Sequence, residues 1–379
     1  MYYIRLMSST VEDYLSKITD SDEQFQSYMI LGLGLLIIVI FVFYILYLRK
    51  LPEKECDMMN TLYPSVNGNI RPISSNDPDC SGNLFDYYVK TAYNACSGGS
   101  YKNDFVDICN LKAVLKQGVR CLDFEIYSID NQPVVATSTV DSYFIKETFN
   151  SVDFSSVMST ISSYAFSGGT SPNPSDPIIL HLRIKSNNQE MYTNLANVFK
   201  SYSSLVLGKD YSFENSGHNL GNVPLLTFRN KVIIIVDKTN NSFLQNNDFL
   251  EYVNLTSNSM FMRSYINYNV VNNPDSQELT DYNKTGMTIV LPDTGINPPN
   301  PSGILARSYG CNFVAMRYQL VDNFLNENDQ FFDNCGYAFC LKPDELRYHP
   351  VTIPAPTPQN PAYSYASRTT STDYYSFKS

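Results

Sequence analysis

Tryptophan is absent from the 379 residues, and histidine occurs only as His181, His218 and His349. So few imidazoles exclude a histidine-rich metal centre. The eight cysteines (Cys56, Cys80, Cys96, Cys109, Cys121, Cys311, Cys335 and Cys340) include no CxxC pair and no His/Cys cluster, which argues against zinc. Charge is scarce too: 17% of residues carry it, the formal net charge is −10, and no long basic block occurs. Nucleic acid is therefore excluded as a partner, and general electrostatic adhesion to anionic lipid is disfavoured. With 43% hydrophobic residues the chain can fill a packed core, so full disorder is excluded as well. Tyr (29) and Phe (22) are plentiful, a bias that reads as genome composition more than function.

What is present begins with a membrane signal. From Tyr28 to Leu48 the chain runs 21 residues without a charge, enough to cross the ~30 Å apolar core of a bilayer as a helix. Tyr28, Tyr44 and Tyr47 lie near its ends, where interfacial anchors sit. The run is long, starts late and lacks a small-x-small exit, so residues 28–48 are expected to be a transmembrane helix rather than a cleaved signal peptide. Arg49, Lys50 and Lys54 follow it directly, against Arg5 and Lys17 in the arm before it. The positive-inside rule then places the remainder on the cytoplasmic side. Sequons at Asn240, Asn254 and Asn283 matter only if that placement is reversed. Residues 1–27 form a polar arm with an amphipathic helix around Val11–Ile18. Residues 49–82, with Pro52, Pro64, Pro72 and Pro78, read as a linker, and 350–379, rich in Pro, Ser, Thr and Tyr, as a disordered tail.

The stretch from Gly118 to Ser128 organises the part between. Val119, Cys121, Asp123 and Glu125 alternate with Leu122, Phe124 and Ile126, the period of a strand. Two carboxylates on one face of a buried strand demand a cationic partner. Further strands are expected over Pro133–Thr139, Pro177–Ile184, Lys231–Val236, Gly286–Leu291, Asn312–Gln319 and Ala338–Leu341. Helices are expected over Val106–Gln117, Ser151–Ala165, Gln189–Ser203 and Phe324–Asp333. This alternation predicts a parallel α/β architecture, interrupted by an Asn-, Ser- and Tyr-rich surface excursion at 239–285.

Six short motifs stand in order. They are Gly118-Val-Arg-Cys-Leu-Asp-Phe-Glu125, Pro133-Val-Val135, Pro177-Ile-Ile-Leu180, Arg229-Asn-Lys-Val-Ile-Ile234, Tyr309-Gly-Cys-Asn-Phe-Val-Ala-Met-Arg-Tyr-Gln319, and Cys335-Gly-Tyr337 with Leu341-Lys-Pro-Asp-Glu-Leu-Arg347. Together they resemble the phosphoinositide-specific phospholipase C family over residues 83–349. The last motif departs from the family pattern by two extra residues between Tyr337 and Leu341. The resemblance implies a distorted TIM-type (β/α)8 barrel with an X half at 83–238, an insertion at 239–285 and a Y half at 286–349. Its chemistry would lie at the C-terminal ends of the strands.

The family's reaction uses two histidines as acid and base, and calcium to hold negative charge. By resemblance the first histidine falls on Ala92 and the neighbouring calcium-binding Asn on Tyr93; the second histidine falls on Thr139. The strand carboxylates become Asp123 and Glu125, and the third acidic ligand becomes Arg183. Two headgroup cations fall on Ile235 and Ile296. His181, two residues before Arg183, shares its face and reads as a packed core histidine rather than a substitute base. No cofactor is then expected, and calcium enters only if catalysis survives. The expected function is a membrane-anchored pseudoenzyme in which an Arg183 salt bridge has replaced the metal. Its partners would be the bilayer and a phosphoinositide or protein, in a cellular or a viral membrane layer. The alternative is an active phosphoric diester hydrolase with a non-standard site.

Overall fold

Strands apolar on both faces need a cover on each side and no open edge, and a closed barrel provides both. The computed structural model describes residues 2–140, 144–212, 219–350, 354, 356–358, 360, 363 and 366–378, with the side chains of all but 2–24 and 209. Its strands in chain order are β1 (Tyr87–Ala92), β2 (Cys121–Ile129), β3 (Gln132–Ala136), β4 (Val152–Asp153), β5 (Ile178–Ile184), β6 (Val232–Asp237), β7 (Leu255–Ser257), β8 (Met262–Ile266), β9 (Met287–Leu291), β10 (Phe313–Met316) and β11 (Phe339–Leu341). Eight of them run parallel in the order β7-β6-β5-β2-β1-β10-β9-β8, while β3, β4 and β11 add antiparallel edges. β7 and β8 lie side by side without a ladder among the described residues, so the barrel is nearly closed.

The alternation along β2 separates two cores. Leu122, Phe124 and Ile126 point outward and pack with Leu111, Met158 and Leu195 from the surrounding helices. Cys121 points into the barrel with Ile179, Ile233, Ile235, Phe313 and Ala315. The helices that matter below are α1 (Tyr2–Leu62), α2 (Ile108–Lys116), α3 (Phe154–Thr160, continued by one π turn at Ile161–Ala165), α4 (Gln189–Ser201) and α5 (Asn323–Cys335). α2, α4 and α5 begin at side-chain caps, Asp107, Asn188 and Asp322, whose carbonyl or carboxylate oxygens accept otherwise orphaned N–H groups. Gly336, at φ 80°, closes α5 in the left-handed conformation that suits glycine.

Four expectations change. The 239–285 interval is no surface excursion: it contributes β7 and β8 to the barrel wall. The 49–82 linker is no loose tether. α1 continues through Pro52 to Leu62, and Glu55, Met59, Tyr63, Ile70, Ile73 and Cys80 are buried. Strand β1 went unpredicted because Lys90 interrupts its apolar run, and the barrel neutralises that lysine with Asp329 at 3.0 Å. In the tail, a separate unit from Tyr348 on, Thr369–Ser371 pairs with Ser376–Lys378 as an exposed hairpin, so that part is ordered. The side chains of the predicted Val11–Ile18 helix lie outside the described residues.

Disulfides join Cys56 to Cys109 and Cys335 to Cys340. Such bonds form and persist in oxidising compartments, which opposes the cytoplasmic placement drawn from the flanking cations. All three sequon asparagines use their side-chain amides structurally: Asn240 caps the end of β5, Asn254 bonds Ile234 N, and Asn283 bonds Thr288 and the Tyr309 carbonyl.

Candidate functional site

The register of β2 against β5 sets Asp123 beside His181 and Glu125 beside Arg183. All four side chains point into the barrel near the C-terminal ends of the strands, and Asp123 and His181 are fully buried. Arg183 spreads its guanidinium across both acids. Its Nε donates to Asp123 Oδ1 at 3.0 Å, Nη2 to Asp123 Oδ2 at 2.8 Å and Nη1 to Glu125 Oε1 at 2.9 Å. The Asn94 side-chain oxygen takes a further bond from Nη2 at 3.0 Å, and the Tyr93 ring lies 4.7 Å beneath the cation. The planar fork suits this bidentate task, which a lysine could not perform.

The remaining acceptor sites on the carboxylates are also taken. Asp123 accepts from His181 Nδ1 at 2.7 Å and Asn94 N at 3.2 Å. Glu125 accepts from the Tyr127 hydroxyl at 2.6 Å, Ser138 N at 3.0 Å and the Asn94 amide at 3.4 Å. Each acid thus has four donors, about the full capacity of an ionised carboxylate. Burial pushes the Asp123 carboxyl up, but the Arg183 charge and the His181 and Arg183 hydrogen bonds outweigh it and hold it below the usual carboxylate range. Burial likewise works against the Arg183 charge and loses to Asp123, Tyr93 and Glu125, which keep the guanidinium firmly protonated.

His181 lies one layer below Arg183. Its Nδ1 donates to Asp123, and Nε2 meets the Ser257 hydroxyl at 2.9 Å. Both ring nitrogens are therefore engaged in a sealed layer, away from anything entering the mouth.

Two expected positions shift. Ala92 is the last residue of β1 and packs outward against the helices, so it does not face the site. The residues that do are Tyr93 and Asn94, one position further on. The motif comparison slipped by one because no histidine was there to fix its register. Burial raises the Tyr93 hydroxyl well above its ordinary range, so it stays a neutral phenol. Thr139 lies on the loop after β3, with its backbone N–H and hydroxyl both donating to Glu147. It touches neither strand carboxylate.

The two positions expected to have lost headgroup cations also separate. Ile235 is buried in the lumen, whereas Ile296 is 56% exposed on the loop after β9. One cation was missed: Lys185, two residues past Arg183 on the same face. Arg183, Lys185, Asp237 and Tyr265 line a cavity of about 410 Å³ that opens beside the ion-pair cluster. The period of two that joined His181 to Arg183 would have found Lys185 as well.

Calcium needs six to eight oxygen ligands at about 2.3–2.6 Å. The oxygens that could supply them are those of Asn94, Asp123 and Glu125, and the guanidinium already sits among them. A divalent ion 4 Å from that charge would be repelled by roughly 8 kcal/mol at an effective dielectric constant of about 20. The residues present do not fit the ion. A second group of potential ligands, Cys56, Asp107 and Cys109, is compromised because its two sulfurs are bonded to each other.

Residues 81–238 match the family model described as phosphatidylinositol-specific phospholipase C, X domain. No curated protein matches the chain. Among solved structures, L. pealei PLC21 superposes with a TM-score of 0.57 at 19% identity, over 71% of this chain and 38% of that one. S. officinalis PLC21 gives the same values. A calcium-dependent phosphoinositol-specific phospholipase C from Pseudomonas sp. gives a TM-score of 0.46 at 11% identity, over 70% of this chain and 97% of that one, too distant a likeness to argue from. The chain spans well under half the length of the PLC21 proteins, and at these identities the likeness speaks for the fold. Residues 81–238 thus carry the pattern of the phosphatidylinositol-specific phospholipase C X domain, and the nearly closed barrel they open has the TIM-type fold seen in the PLC21 structures.

Proposed function

We propose that this chain is a membrane-anchored phospholipase C-like pseudoenzyme, a barrel that binds at a lipid surface without cleaving phosphodiesters. One observation carries the reading. The Arg183 guanidinium occupies the space between Asn94, Asp123 and Glu125, where the resemblance would put calcium. Proton transfer is unprovided for as well. The resemblance assigns the acid and base positions to the segments around Tyr93 and Thr139, and neither side chain can shuttle a proton near neutral pH. His181 is committed to Asp123 and Ser257 below the cluster. The anchor is α1, whose stretch within Phe25–Leu62 is apolar enough to cross a membrane and is not buried by the barrel. The same helix properties are shared by a signal sequence; the buried contacts of Glu55, Met59 and Tyr63 favour retention.

The test is turnover. Full-length protein with phosphatidylinositol vesicles, with and without calcium, is expected to release no inositol phosphate. Release that Asp123→Ala abolishes would overturn the proposal. A second reading, a metal-independent phosphodiesterase, is favoured by the cavity where Arg183 and Lys185 meet near Asp237, a carboxylate on its wall. Turnover that is lost in Asp237→Asn would select it.

A further inference from the structure

Where α1 leans on α2, sulfur and carboxylate donors come together. The ligand atoms of Cys56, Asp107 and Cys109 all lie within 4.8 Å of one another, although a sequence separation of 53 parts the two cysteines. All three residues are half-buried, so ions and thiols in solution can reach them. Asp107 caps α2, its Oδ1 accepting from Cys109 N at 2.7 Å, which fixes the carboxylate over the first turn. Cys109 stands in that turn, where a helix N-terminus favours thiolate over thiol. Cys56 comes from α1 and is bonded to Cys109, with the Cα atoms 5.7 Å apart. Tetrahedral zinc holds each sulfur at about 2.3 Å, which sets two sulfurs about 3.8 Å from each other. Side chains on Cα atoms 5.7 Å apart reach that separation by rotating, without moving α1 off α2.

The surroundings favour a cation. Glu55, the residue before Cys56, is 8% exposed, and its carboxyl faces that of Asp104 so closely that a Cβ on Gly99 would overlap both. Ser100 N and Phe105 N donate to Asp104, but among the described residues no N–H donates to Glu55. Burial, then Asp104 and Asp107, push the Glu55 carboxyl up to about 9, and no cation opposes them. The chain also carries two opposed signs of its compartment. Arg49, Lys50 and Lys54 point to the reducing cytoplasmic side, and the disulfides to an oxidising one. A junction that can close in either state removes the conflict.

We propose that reduction turns the Cys56–Cys109 bridge into a zinc site, with both sulfurs and the Asp107 carboxylate as ligands and water in the fourth position. α1 is then clamped to α2 by a covalent bond under oxidising conditions and by the metal under reducing ones. A dithiol reductant breaks the S–S bond, supplies two electrons and two protons, and leaves as its own disulfide. Zinc then displaces both protons as the thiolates coordinate. Two thiolates and one carboxylate bring three negative charges to the ion's two, and Glu55, which keeps its proton, adds none.

The test uses full-length protein in detergent, reduced with a dithiol, freed of it without air, and titrated with cobalt as a spectroscopic probe and then with zinc. The expected result is one cobalt per chain with a sulfur-to-cobalt charge-transfer band, which zinc abolishes. Cys56→Ser should lose the band. Cys335→Ser should keep it, because no acid groups with that pair among the described residues. Asp107→Asn retains the helix cap, since asparagine caps as well as aspartate. It should weaken zinc by at least the roughly 10–100-fold that even an outer-shell partner is worth. Zinc should raise the unfolding temperature of the reduced protein, increasingly with concentration, and leave the oxidised protein unmoved. No band in the reduced protein, a band that survives Cys56→Ser or is lost in Cys335→Ser, unchanged zinc affinity in Asp107→Asn, or an equal thermal shift in the oxidised protein would each overturn the proposal.

Discussion

Replacing Arg183 by Gln tests whether the guanidinium stands in for a metal. The change keeps an amide donor but removes the charge that faces Asp123 and Glu125 at 2.8 and 2.9 Å. Breaking a buried pair by deleting one partner costs about 3–5 kcal/mol, because the other charge stays buried without compensation. For a barrel of this size each kcal/mol moves the melting temperature by about 2 °C, so thermal unfolding should fall by roughly 6–10 °C. Protonation can relieve the stranded acids. Their folded pKa values would then exceed the unfolded ones, and the loss should deepen as pH rises through and above the ordinary carboxylate range. In the unaltered protein the sign is opposite: Asp123 is depressed, so its stabilisation is complete above the unfolded pKa and is lost only as pH falls through the folded value.

The discriminating measurement is the response to calcium. Arg183→Gln leaves Asn94, Asp123 and Glu125 as an oxygen cage without a cation, and the ion should now bind. Calcium at 100 times its dissociation constant would return about 2.7 kcal/mol, or roughly 5 °C. The unaltered protein should show no calcium-dependent shift. Equal responses in both proteins, or a cost in the variant below about 1 kcal/mol, would refute the reasoning.

Two predictions concern the docking of α1. Glu55 is raised to about 9, first by burial and then by its hydrogen bond and repulsion with Asp104 and by Asp107, so in the folded protein it holds a proton that the unfolded chain loses near 4.5. Stability should therefore decline as pH rises from about 4.5 to about 9, and Glu55→Gln should flatten that decline in urea unfolding curves measured across the range. Cys56→Ser opens a bridge with a sequence separation of 53. The chain-entropy relation puts its loss at about 4 kcal/mol, against about 2 kcal/mol for the short Cys335–Cys340 loop. Thermal unfolding of Cys56→Ser and Cys335→Ser should rank in that order; the reverse ranking would show that α1 is not held on the barrel by its bridge.

Much of the barrel was legible because its central strands announce themselves. β5 reads Ile178-Ile-Leu-His-Leu-Arg-Ile184 and is buried throughout, as a strand covered on both faces should be. β7 has three residues, and β8 carries Arg263 and Ser264 on a half-exposed wall, so neither offers a period to count. The packing of α1 was concealed by Pro52 and Pro64, although Glu55, Met59 and Tyr63 are spaced as a helical stripe. At the site, alternation along β2 found the two carboxylates and their need for a cation, and the family resemblance supplied Arg183. Asn94 was missed because a degenerate motif loses its register along with its histidine.

Keeping two acids in such a place calls for a physical reason. Asp123 and Glu125 sit on a central strand whose inward face lies in the barrel lumen, so neither can turn to water. Without a cation there, each would cost several kcal/mol or hold a proton. An arginine brings half the charge of a calcium ion. The shortfall is spread over further donors: His181 Nδ1, the Tyr127 hydroxyl, the Asn94 amide, and the backbone N–H groups of Asn94 and Ser138. Those donors come from β2, β5 and the loops after β1 and β3, so the ion-pair cluster ties four segments of the mouth together. Removing Arg183 alone would empty the cation position without supplying a proton shuttle. Thr139 stays committed to Glu147, and Tyr93 stays a buried phenol. Recovering a metal and recovering catalysis are therefore separate changes in this barrel, and the first can be made without the second.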